Sequence, residues 1–139
     1  MIDFFSKQEE EYIIDAIQEA EQVTSGEIRV HLEKQFKGTP IEAASKVFHK
    51  LSMDATELRN GVLIFLVPPK KTFAILGDKG INEKVPDGFW EDVKDIMQQE
   101  FREGDFVNGV CKGVRLIGEK LQEHFPNAGE DDVNELPDE

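Results

Sequence analysis

Cysteine is nearly absent. The one thiol among 139 residues, Cys111, excludes an intramolecular disulfide and any zinc site built on a thiolate cluster. Basic residues are scarce: 16 Lys and Arg against 29 Asp and Glu leave a formal net charge of -13. Such a field repels nucleic-acid phosphates and anionic membrane surfaces, and favours cations or basic partners. No apolar run approaches the roughly 20 residues of a membrane helix. The N-terminus MIDFFSKQEEEYI lacks the basic start and apolar stretch of a signal peptide. The expectation is a soluble, cytoplasmic protein with no nucleic-acid partner and no direct membrane insertion.

Catalytic signatures are missing as well. There is no G-x-S-x-G, Walker loop or dinucleotide fingerprint, and Gly77-Asp78-Lys79-Gly80 is too short for a phosphate cradle. Cys111 and Arg115 are separated by three residues, where a cysteine phosphatase loop has five. His31, His49 and His124 form no pair at ligand spacing.

Clear element patterns are present. Ser6 with Glu9 fits a capping box, and Ile13, Ala16, Ile17, Ala20 and Val23 follow at helical spacing toward Thr24-Ser25-Gly26. Residues 27–33 alternate, with Ile28, Val30 and Leu32 on one face and Arg29, His31 and Glu33 on the other, as in a strand. Thr39, Pro40 and Glu42 mark a second helix start with the stripe Ile41, Ala44, Val47, Phe48 and Leu51. Residues 62–67 are apolar throughout, which is the mark of a strand covered on both faces. Pro68 and Pro69 end it, and residues 72–76 return as a third strand. Asp87 is placed to cap a third helix carrying Phe89, Val93, Ile96, Met97 and Phe101. Asp105 is placed to cap a fourth, where Gly109, Gly113 and Gly118 signal close packing against another backbone.

Strand, helix, strand over residues 27–67 is a βαβ unit with parallel strands, and the third strand adds antiparallel through the proline turn. The expected fold is a three-layer α/β/α sandwich, a small mixed sheet flanked by four main helices, over residues 1–125. Residues 126–139 carry six acids and no Lys or Arg, so that residues 1–125 hold only -7 of the total charge. This tail is expected to be disordered.

Topology then gathers polar groups. The starts of both parallel strands, the end of the third, and several helix ends fall on one rim, bringing together Thr24, Ser25, Glu27, Asp54, Asn60, Asp78, Asn82, Glu83 and Asp87. An oxygen-rich rim without cysteine or histidine suits hard cations, calcium above all. The same residue types also serve turns and caps, and the loop after Asp78 misses the EF-hand spacing.

Thr24-Ser25-Gly26-Glu27-Ile28-Arg29-Val30, Asn60-Gly61-Val62-Leu63-Ile64, Gly77-Asp78-Lys79-Gly80-Ile81, Val85-Pro86-Asp87 and Gly104-Asp105-Phe106 resemble, in order and spacing, the TPM domain family. The resemblance spans roughly residues 6 to 124. It implies an α/β/α sandwich, and a metal-binding cleft whose positions here are among Glu27, Asn60 and Asp78, with Asp54 and Asp87 as further candidates. Members are described as acid phosphatases, as calcium-binding proteins or as auxiliary proteins of membrane complexes. Two departures stand out: Arg59 replaces an acid frequent before Asn-Gly, and neither signal nor anchor is seen where members often have one. The leading expectation is a regulatory or interaction module that binds calcium or another divalent cation. Its alternatives are a metal-assisted phosphatase and a structural adaptor whose acidic tail holds an unidentified basic protein.

Overall fold

The computed structural model describes residues 4–127. The expected tail therefore lies outside the described residues except for Pro126 and Asn127. Among the described residues the chain divides into two compact units, one of Glu27–Glu83 and one of Phe5–Gly26 with residues 84–127. Together they hold an α/β fold with a mixed three-stranded sheet.

The first unit contains β1 (Glu27–Leu32), α2 (Pro40–Lys50), β2 (Gly61–Val67), β3 (Thr72–Gly77) and the short α3 (Lys79–Asn82); α1 (Lys7–Val23) precedes it in the chain and belongs to the second unit. The sheet order is β1-β2-β3. β1 pairs parallel with β2, and β2 pairs antiparallel with β3, as the βαβ pattern and the proline turn require. Register fixes the two faces. Gly61, Leu63, Phe65 and Val67 share one face with Glu27, Arg29 and His31 of β1 and with Ala74, Leu76 and Asp78 at and beyond β3. On this face α2 packs through Ala43, Ala44 and Phe48 against Leu63, Phe65, Val67 and Ala74. The opposite face is apolar and includes buried Ile28, Val62, Ile64, Leu66 and Ile75. All seven β2 residues are buried, which accounts for their unbroken hydrophobicity.

The capping box of α2 forms: Thr39 Oγ1 accepts from Glu42 N at 3.2 Å, and Glu42 Oε1 accepts from Thr39 N at 3.2 Å. This pairing holds the Glu42 carboxyl below its usual range, with the Thr39 hydrogen bond as the leading cause. The expected stripe shifts, however. Ala43 joins Ala44 and Phe48 in the core, whereas Ile41 in the first turn is 49% exposed. The polar side of β1 also differs from expectation, since Glu27 and Arg29 are buried.

The second unit contains α1 (Lys7–Val23), α4 (Glu91–Arg102) and α5 (Phe106–Gln122). The Ser6–Glu9 capping box starts α1, and Asp105 caps α5 by accepting from Asn108 N at 3.2 Å. The three α5 glycines are sites of close packing, but only Gly118 meets another backbone, whereas Gly109 and Gly113 meet side chains. A Cβ at Gly109 would meet the Phe101 ring, one at Gly113 the Met97 sulfur, and one at Gly118 Ala20.

Asp87 does not cap α4. Gly88 takes the left-handed region (φ +80) and two turns, Phe89 N to Pro86 O and Glu91 N to Gly88 O, intervene before the helix begins. Trp90 becomes the cap residue without a side-chain bond, and Phe89 is buried ahead of the helix. Thr24 Oγ1 donates to Phe125 O at 2.5 Å, while Asn127 Nδ2 donates to the last carbonyls of α1 at Glu21 and Gln22. Among the described residues no helix is long and apolar enough to cross a membrane.

Candidate functional site

Three segments of the first unit converge on one end of the sheet. Glu27 lies opposite Gly61, and the Asp78 N–H donates to the Gly61 carbonyl at 2.9 Å. Glu27, Gly61 and Asp78 thus form one row across three chain segments, and lateral neighbours in a sheet share a face. The central member carries no side chain. A Cβ placed on Gly61 would lie 3.2 Å from the Met53 carbonyl oxygen and 3.6 Å from the Met53 methyl and the Phe48 ring, so these groups already fill the place that a side chain would take. Glu27 and Asn60 are 4% and 1% exposed. The Glu27 N–H also donates to Asn60 O at 3.4 Å.

The segment leading into β2 is held by its own polar groups. Thr56 is buried, its Oγ1 accepting from Asn60 N at 3.3 Å and its carbonyl from Arg59 N at 3.3 Å. Arg59 adopts φ +51. The Gly80 N–H donates to the Arg59 carbonyl at 2.8 Å, bringing α3 against this segment. A Cβ at Gly80 would run into the Leu58 carbonyl oxygen and come within 2.7 Å of the Arg59 one, so only glycine permits the approach.

Asp78 is the most heavily engaged acid. Arg59 Nε donates to its Oδ2 at 2.7 Å and Nη2 to its Oδ1 at 2.9 Å, the paired geometry that a guanidinium fork favours. Lys79 N also donates to Oδ1 at 2.7 Å, making Asp78 the cap of α3. The Asp78 side chain is 6% exposed and that of Arg59 is 41% exposed. The hydrogen bonds to Asp78 push the guanidinium pKa above its ordinary value.

The five expected metal positions do not all meet. Glu27, Asn60 and Asp78 share the sheet end. Asp54 lies in a single 3-10 turn, where its Oδ2 pairs with His49 Nδ1 at 2.9 Å; that bond is the leading cause holding its carboxyl below the usual range. Asp87 is an exposed turn residue of the second unit, beside a cleft of about 400 Å³ lined by Phe89, Lys120 and His124. Among the described residues no three His, Cys, Asp or Glu side chains gather to hold a metal ion.

The donor set nevertheless suits a hard cation in kind. Two carboxylates, one carboxamide and the Met53 carbonyl are all oxygen donors. Arg59 already occupies Asp78 as a cation would. A cleft of about 420 Å³ opens beside it, lined by Ser45, Phe48, His49, Arg59, Leu76, Asp78, Lys79, Asn82 and Glu83. The sequence pattern does not reveal the Arg59–Asp78 pair, because its partners are 19 residues apart and their meeting depends on the Gly80 approach.

The family model of the TPM domain matches residues 2–120. The chain is similar in structure to the BA42 protein from the psychrophilic bacterium Bizionia argentinensis, at 46% identity and a TM-score of 0.92, covering 99% of this chain and 94% of that one. It shares its fold with an N-terminal domain from P. gingivalis at 20% identity and a TM-score of 0.71, covering 87% and 78%. It does so too with the N-terminal domain of the cg2496 protein from Corynebacterium glutamicum, at 14% identity and a TM-score of 0.66, covering 94% and 80%. No curated protein matches the chain.

Proposed function

Because the chain belongs to the TPM domain family, we propose that it is a binding or regulatory module that takes a divalent cation, calcium foremost, at the sheet end formed by Glu27, Asn60 and Asp78. The observation that carries this reading is the row Glu27–Gly61–Asp78, in which two buried acids flank a residue without a side chain. The bound ion would supply positive charge between the carboxylates, tying the starts of β1 and β2 to the end of β3. Affinity is expected to be weak, in the range of about 0.1–1 mM seen for low-affinity calcium modules, because only two carboxylates contribute. Asp54 acts on the charge of Arg59, whereas Asp87 has no part in the proposal.

The test is a calcium titration of the full chain followed by amide NMR. Saturable shifts centred on Glu27, Asn60, Gly61 and Asp78 are the expected result. Shifts that scatter over the acidic surface, or none at tens of millimolar metal, would refute the reading.

A second reading, a metal-assisted phosphatase, is favoured by one specific observation. Ser45 and His49 are one helical turn apart on α2 and line the same cleft as Arg59 and Lys79, and His49 is oriented by Asp54. A hydroxyl, a base with its orienting acid and two cations are the parts such chemistry uses. Hydrolysis of a generic phosphomonoester by the purified protein, lost in H49A, would support this reading. Its absence from pH 4 to 8, with and without metal, would remove it.

A further inference from the structure

The net charge of -13 is spread unevenly. Residues 27–83 hold nine Lys and Arg against seven Asp and Glu, a net of +2, so the remaining residues carry -15. Parallel pairing of β1 and β2 puts the loop after β1 and the proline turn after β2 at one end of the sheet, opposite to the end that holds Glu27, Asn60 and Asp78. These two loops bring Lys34, Lys37, Lys70 and Lys71 there, all exposed. Among the described residues none of the four makes an ion pair, whereas Arg59, Lys94, Lys112, Arg115 and Lys120 each meet an acid. The nearest acids in these loops are already engaged: Glu33 Oε2 lies 2.7 Å from His31 Nε2, and Glu42 closes the capping box on Thr39. Both loops are held in place. The Lys71 N–H donates to Pro68 O at 3.0 Å, Thr72 Oγ1 donates to Lys70 O at 2.9 Å, and Phe36 sets its ring edge-on to Phe65 between Lys34 and Lys37.

We propose that this lysine-rich sheet end docks a short acidic segment of a partner protein, in which Asp and Glu surround an aliphatic residue. The acids meet four cations that no acid of the described chain neutralises. The aliphatic side chain covers Ile41, which is 49% exposed in the first turn of α2, directly after the Lys34–Lys37 loop. Size selects the partner class. A duplex or an anionic bilayer reaches far beyond a Debye length of about 8 Å and is repelled by the -15 of the remaining chain. A short segment stays within the field of the lysines. Because the two loops are ordered before the partner arrives, little of the contact energy is lost in fixing them. The surface lies at the other end of the sheet from the proposed cation site and stands whether or not a cation binds there.

The experiment titrates the full chain, followed by amide NMR, with a short synthetic peptide of Asp and Glu around one leucine. The same peptide with Asn and Gln in place of its acids, phosphatidylserine vesicles and a short DNA duplex serve as comparisons. Saturable shifts confined to residues 34–41 and 68–72, weakening as salt is raised, are the expected result. The pairs K34Q/K37Q and K70Q/K71N each bind at least about threefold more weakly, and the fourfold variant loses the response. Asparagine is chosen at 71 because it tolerates the left-handed backbone there (φ +51). The substituted positions are exposed, and either pair decides alone if the other does not fold. Absent or scattered shifts, or equal shifts with the uncharged peptide, would overturn the proposal. So would equal or larger shifts with vesicles or DNA. Movement of these same amides when the acids of residues 130–139 are replaced by amides, with no response to the peptide, would assign the surface to the chain's own end instead of a partner.

Discussion

Replacing Gly80 by alanine tests the construction of the site, because helix propensity and packing predict opposite signs. In a helix, alanine is favoured over glycine by about 1 kcal/mol, so a reading of α3 alone expects G80A to stabilise. In the folded chain the new methyl would strike the Leu58 carbonyl oxygen and crowd that of Arg59. Both are backbone atoms and cannot swing aside as a side chain could. Overpacking of this kind costs about 1–3 kcal/mol. Pushing α3 away also sacrifices the Gly80 N to Arg59 O bond, worth roughly 1 kcal/mol more. Net of the helix gain, G80A should lose about 1–3 kcal/mol. With a urea slope near 2 kcal/mol/M, the unfolding midpoint falls by about 0.5–1.5 M at unchanged slope. The Arg59 Nε–H should at the same time exchange faster, since the segment carrying it loses its brace. A midpoint equal to or above wild type would refute the claim that backbone crowding at Gly80 positions Arg59.

Within the second unit, G118A should destabilise more than G113A by about 1 kcal/mol: the Gly118 methyl would meet Ala20, which cannot yield, whereas the Gly113 methyl would meet the flexible Met97 side chain. Thermal melts of the two variants check the order. The Asp54 carboxyl, held low chiefly by the His49 hydrogen bond, should titrate below the ordinary aspartate range in a carbon-detected NMR experiment, and H49A should move it upward. Because its folded value is depressed, the pair's stabilisation is complete above the unfolded carboxyl range and is lost as pH falls through the folded value. Cys111 is buried with its thiol pushed up by that burial, so a thiol reagent should react slowly with native protein and fast in urea. Rapid labelling without denaturant would contradict its place in the α5 packing.

Local chemistry made most elements legible. Two capping boxes, the Pro40 start, the unbroken apolar run of β2 and the double proline after it each encode a boundary that depends on a few neighbouring residues. Where an outcome depended on longer-range fit, the pattern misled. Asp87 has the composition of a cap, but the left-handed Gly88 diverts the chain into turns, so α4 begins three residues later than a capping reading places it. Ile41 fits the α2 stripe by spacing, yet the helix settles on its alanines and leaves Ile41 half exposed. The segment after Asp78 reads as a loop because of its glycines and polar residues. In the structure Gly80 is what lets a short helix approach the Arg59 backbone.

The same division runs through the site. Strand order and direction suffice to bring Glu27, Asn60 and Asp78 to one end of the sheet, since that follows from a parallel pair and an antiparallel return. They say nothing of whether an acid is free or already neutralised, and here Asp78 is neutralised. Cation binding and phosphoryl chemistry make opposite demands on Arg59. A cation site needs the guanidinium to withdraw, so R59G should strengthen it; a phosphatase needs positive charge at the substrate, so the same variant should abolish turnover. Measuring calcium affinity and phosphomonoester hydrolysis on one preparation of R59G therefore separates the two. Tighter metal binding with no wild-type hydrolysis to lose selects the binding module. Unchanged metal affinity together with lost hydrolysis would select the enzyme.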